Sequence, residues 1–132
     1  MKADIRYPEV QGVAIAIIQE GKESAFWDVY LINLKEEALK NVLVSSKGYG
    51  IDKGENVKTS ILRHYFTDVL PKSFVKIEPI DPLLFKLSNE YWVSFYVGKE
   101  IYDKKYIFLP ESIIHDNLID IPLISKRGVM IR

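Results

Sequence analysis

Runs of alternating β-branched and aromatic residues, broken about every eight to twelve residues by glycine, proline, asparagine or serine, leave this chain little to become but a β protein. Residues 12–20 set Val13, Ile15 and Ile17 on one side and Ala14, Ala16 and Ile18 on the other. A strand apolar on both sides is predicted to be covered on both. Residues 25–33 repeat the pattern, with Trp27, Val29 and Leu31 opposite Phe26, Tyr30 and Ile32, after a polar turn at residues 21–24. Residues 87–98 alternate Tyr91, Val93, Phe95 and Val97 with Trp92, Ser94 and Tyr96, and Gly98-Lys99 lead into residues 100–109, the pattern of a hairpin.

The remaining segments are shorter or less decided. Residues 42–44 read as a short strand closed by a glycine turn at residues 45–50, and residues 73–80 as a half-exposed strand ended by Pro79 and Pro82. Residues 57–70 fit either a strand or a helical stripe, and their Thr, Ile, Tyr, Phe and Val residues favour the strand. Pro110 suits the start of one helical turn within residues 110–120, and residues 121–124 and 128–131 are short apolar pieces. About seven strands without a long helix predict an all-β fold, an antiparallel immunoglobulin-like β-sandwich, with a small β-barrel as the alternative. At 132 residues the whole chain fits a single domain.

Charge and composition narrow the chemistry. Eighteen bases balance eighteen acids, with no charged tail. There is no cysteine, so disulfides, thiolate zinc sites and iron–sulfur clusters are excluded. With His64 and His115 the only histidines, neither a metal site nor a cofactor is expected. The N-terminal residues mix acids with bases, and the longest apolar run, residues 13–18, is far below the ~20 residues that span a bilayer. The expectation is a cytoplasmic protein with no membrane partner.

Few residues point to catalysis. Residues 45–50, Ser-Ser-Lys-Gly-Tyr-Gly, offer Lys47 as a weak binding candidate but lack the spacing of a phosphate loop. Arg63 and His64 are neighbours, so on a strand they face opposite ways and cannot act on one atom together. No Gly-x-Ser-x-Gly elbow occurs, and the carboxylates at positions 78, 81, 116 and 120 form no diagnostic pair. A non-enzyme is expected. Sixteen aromatics are present, several beside lysine, as in Tyr102, Lys104, Lys105 and Tyr106. Such a face can stack bases and hold phosphates, although zero net charge weighs against nucleic acid.

Asn33, the stretch 42–48, Lys58-Thr59-Ser60 with Arg63 and His64, then Pro71, Ser73, Lys76-Ile77-Glu78, Asp103-Lys104-Lys105, Phe108 and Ile121-Pro122-Leu123 together carry a likeness over nearly the whole chain. The sequence resembles a family of small, uncharacterised bacterial proteins of about this length that are often labelled phenylalanyl-tRNA synthetase alpha subunit. The resemblance implies one compact domain and, through that label, an accessory or tRNA-associated role. Three functions follow as expectations. The first is a non-enzymatic protein-interaction module, binding a protein partner or a second copy of itself. The second is an RNA- or tRNA-associated accessory protein using Lys104, Lys105, Lys126 and Arg127. The third is a small-molecule binder or enzyme using Arg63 and His64.

Overall fold

The computed structural model describes residues 8–21 and 25–132; the expected N-terminal features before Pro8 and most of the turn at residues 21–24 lie outside the described residues. The described residues form ten strands: β1 (Val13–Gln19), β2 (Trp27–Asn33), β3 (Leu39–Asp52), β4 (Glu55–Lys58), β5 (Leu62–Val69), β6 (Ser73–Ile80), β7 (Ser88–Val97), β8 (Glu100–Phe108), β9 (Ile119–Asp120) and β10 (Arg127–Ile131). The first sheet runs β6-β2-β1-β10-β9; in the second, β3 lies between β7 and the successive strands β4 and β5, and β8 flanks β7. All pairings are antiparallel.

The chain crosses between sheets after β2, β5, β6 and β8, so that β2 pairs β6 and β3 pairs β7. That arrangement is an antiparallel β-sandwich, open at its edges rather than closed into a barrel. Apolar side chains from both inner faces fill the space between, among them Ile15, Ile17, Leu31, Val44, Val93, Phe95, Tyr106 and Phe108. β1 is buried on its outer face too, where Ile121 closes over Ala14, Ala16 and Ile18. This explains why both of its faces are apolar.

Residues 45–50 and Pro79 depart from expectation, while residues 57–70 and the turn within residues 110–120 take the expected form with finer detail. The residues at 45–50 do not end a strand: β3 continues through them for fourteen residues, and the turn comes later at Lys53 and Gly54, both at positive φ. The strand continues because β4 and β7 pair it on either side, which satisfies a backbone that Gly48 and Gly50 alone would not hold extended. Residues 57–70 are strand, split by a break at residues 59–61 where Thr59 binds back to Gly48. Pro79 lies inside β6 rather than after it, which an edge strand tolerates because one side of its backbone is unpaired. The expected helical turn is a single 3₁₀ turn at His115–Asn117, and a second 3₁₀ turn spans Pro82–Lys86 under an Asp81 cap.

Two buried polar groups fix the frame. Asn33 Nδ2 donates to the carbonyls of Glu37, Val69 and Leu70 at 2.9, 3.2 and 3.0 Å, tying the β2–β3 connection to the end of β5. Tyr106 donates its hydroxyl to the Val13 carbonyl at 2.7 Å, joining the two sheets through the core.

Candidate functional site

Register decides which of the sequence candidates can act together. Residues paired across neighbouring strands point to the same side of a sheet. Arg63 pairs with Ser45, Ser45 with Trp92, and Trp92 with Lys105, so one row crosses β5, β3, β7 and β8 on the outer face of the second sheet. The next row is Tyr65, Leu43, Ser94 and Asp103, and a flanking row brings Lys47, Glu90 and Ile107. Tyr96 and Ile101 close the other end.

This face is unusually apolar for a surface. Tyr65, Trp92 and Leu43 are 58%, 44% and 42% exposed, and Tyr96, Ile101 and Ile107 are also exposed. Its acids are already engaged. Glu90 accepts from the Tyr49 hydroxyl at 3.2 Å and lies 3.8 Å from Lys47, and Asp103 accepts from the Trp92 indole nitrogen. Two of its cations are not. Arg63 has no hydrogen bond or ion pair among the described residues, and Lys105 lies 4.5 Å above the Trp92 ring without a carboxylate partner.

Alternation separates the other candidates. Lys104 pairs with Val93 on the inner side of β8, with its ammonium 5.0 Å from the Tyr106 ring, so Lys104 and Lys105 do not form a joint basic patch. His64 turns inward from β5, opposite to Arg63, and its Nε2 lies 2.7 Å from Glu78 Oε1 on β6. Ser46 donates to the same oxygen at 2.8 Å. The carboxylate therefore sits between serine and histidine, so His64 cannot take the Ser46 proton as a general base would. Nothing in the residues near Glu78 in sequence points to this role, because its partners come from a different sheet.

The remaining basic candidates belong to the other sheet, at the start of β10. Lys126 binds Glu20 at 2.7 Å and Arg127 donates to the Leu118 carbonyl at 2.9 Å, so neither is free. Glu20 also accepts from Tyr30 at 2.7 Å and faces Asp28. Burial raises the Glu20 pKa, but hydrogen bonds from Asp28, Lys126 and Tyr30 prevail and hold it down at about 2. Asp28 moves upward, through burial and its bond to Glu20, against the lowering effect of Lys76 at 3.1 Å. Among the described residues no group of three or more His, Asp or Glu is placed to hold a metal ion.

Comparison with protein families and with curated proteins finds no match to this chain.

Proposed function

We propose that this protein is a non-enzymatic interaction module of the cytoplasm that docks an acidic segment of a partner protein on the outer face of β5, β3, β7 and β8. The row Arg63, Ser45, Trp92, Lys105 carries this reading. Tryptophan, tyrosine and arginine are the residues that dominate binding energy at protein interfaces, and here they share a face. The partner's charge follows from the unpaired cations: with Glu90 and Asp103 occupied, the face offers positive charge around an apolar centre. Two copies packed face to face would set Arg63 and Lys105 among like charges, which disfavours self-association through this surface.

Size sets the kind of contact. Four strands at ~4.8 Å and four rows at ~6.8 Å make a patch of roughly 500 Å², below the ~800 Å² per partner of a standard stable complex. A transient contact with a short segment fits that area.

Three baits in native lysate test the proposal: the wild-type chain, Trp92→Ala, and the double reversal Arg63→Glu, Lys105→Glu. The expected result is an acidic protein retained by wild type after nuclease treatment, lost from both variants, and bound more weakly by them in titration of the purified pair. Equal retention by all three baits would overturn the proposal. The exposed aromatics beside Arg63 and Lys105 favour RNA as a second reading, in keeping with a tRNA-associated accessory role. Nuclease-sensitive recovery of RNA, weakening steeply with salt, would replace the protein partner by that one.

A further inference from the structure

A cavity of about 310 Å³ opens where the edges of the two sheets part, between the break after β4 and the strand β6. Its volume lies at the lower end of small-molecule sites. Three side-chain oxygens that line it have no partner among the described residues. Glu78 accepts both of its bonds through Oε1, from Ser46 and His64, which leaves Oε2 unengaged. Asn89, 4% exposed, donates both its bonds through Nδ2, to the Leu84 and Leu87 carbonyls, which leaves Oδ1 free. Tyr91, 2% exposed, has no hydrogen bond to its hydroxyl. Every fully enclosed side-chain polar atom among the described residues has a partner, so these free atoms are ones the cavity reaches.

Because they are not fully enclosed, these atoms are available to a ligand that fills the cavity. What is missing here is a donor. Glu78 Oε2 and Asn89 Oδ1 only accept, Tyr91 accepts as readily as it donates, and Asp81 at the rim adds a second negative charge. The nearest cation of the lining, Lys47, projects to the other side of the sheet toward Glu90. Leu62, Ile80 and Leu84 supply apolar wall for a short carbon chain.

We infer that this cavity is a binding site for a small organic cation, an alkylammonium or alkylguanidinium group held by Glu78, Asn89 and Tyr91. His64 and Ser46 act as positioning residues: by holding Oε1 they aim Oε2 into the cavity. The inference is independent of the outer face, since Trp92 lies on the opposite side of the sheet from Tyr91.

The test is titration of the isotope-labelled protein with n-butylamine and n-butylguanidine, reading the amides of Ser60, Leu62, Leu84 and Asn89, with n-butanol and n-butyrate as neutral and anionic counterparts. Saturable shifts with the two cations, and none with the counterparts, are expected. Glu78→Gln should weaken binding about tenfold or more, because the bond to a charged acceptor is lost. Tyr91→Phe, which removes only the unpartnered hydroxyl, should weaken it severalfold while the protein stays folded. Nα-acetyl-lysine amide distinguishes the source: tighter binding than butylamine assigns the cation to a side chain of another protein, and weaker binding assigns it to a free amine. Absence of saturable shifts with either cation, equal binding of n-butanol, or unchanged affinity in both variants would overturn the inference.

Discussion

His64 of β5 and Glu78 of β6 meet at 2.7 Å across the gap between the two sheets, where no backbone ladder joins them. With Ser46 bound to the same oxygen, one carboxylate clasps that edge of the sandwich. Replacing Glu78 by Ala leaves two donors without an acceptor, and should cost ~2–3 kcal/mol in urea unfolding. Glu78→Gln keeps an acceptor oxygen and should recover at least half of that. Equal losses for the two variants would show that the clasp depends on charge alone.

Tyr91 and Tyr106 are both buried in the same core, yet only Tyr106 spends its hydroxyl, on the Val13 carbonyl. Tyr106→Phe is therefore expected to destabilise by ~1–2 kcal/mol and Tyr91→Phe by less than ~0.5 kcal/mol. Chemical denaturation of the pair measures the difference directly. Burial raises the pKa of both, so neither should ionise at pH 10 in an ultraviolet titration of the folded protein.

Glu20 and Asp28 should titrate in the reverse of their usual order of nearness to neutrality. Carboxyl carbon shifts should show Asp28 losing its proton above its ordinary 3.8 while Glu20 stays ionised down to about 2. The sign follows for stability. Glu20, depressed when folded, contributes above its unfolded value of 4.5 and loses that contribution as pH falls toward 2. Asp28, raised when folded, contributes below 3.8 and loses it as pH rises through its folded value. Glu20→Gln should remove the first dependence, and a simultaneous titration of both groups near 4 would refute the pairing.

Gly128 admits no side chain. A Cβ placed there would lie 2.5 Å from the Ile17 carbonyl oxygen, backbone that cannot swing aside. Gly128→Ala should cost ~1–3 kcal/mol and should first release the pairing of β10 with β1, seen as faster amide exchange at Gly128 and Met130 than at Leu31.

The outer face predicts a separation of binding from stability. Trp92 is half-exposed, so Trp92→Ala should change stability by less than ~1 kcal/mol while weakening the partner complex by ~2 kcal/mol or more. Thermal melting and titration of the purified pair report the two quantities independently.

Much of the frame is legible in the residues themselves. The doubly apolar β1 had to be central, and Gly98-Lys99 had to turn β7 into β8, because each pattern depends on neighbours in sequence. β3 was obscured because its polar, glycine-bearing half is extended only through strands supplied from elsewhere in the chain. The separation of Lys104 from Lys105 follows from strand alternation alone, as it does for Arg63 and His64. The site is different. Arg63, Trp92 and Lys105 become one row only when the register of four strands is known, and Glu78 becomes the partner of His64 only when two sheets are stacked.

The pairing of Ile18 with Gly128 and Ile15 with Ile131 also governs time. These contacts join positions near opposite ends of the described chain, and such long closures place a β-sandwich among the slow folders, in milliseconds to seconds rather than microseconds. Throughout that interval β1, the most apolar strand, waits with one hydrogen-bonding edge bare. A newly made chain is thus most prone to aggregate before its final strand arrives, and any agent that holds β1 covered in the meantime would raise the yield of folded protein without altering its final stability.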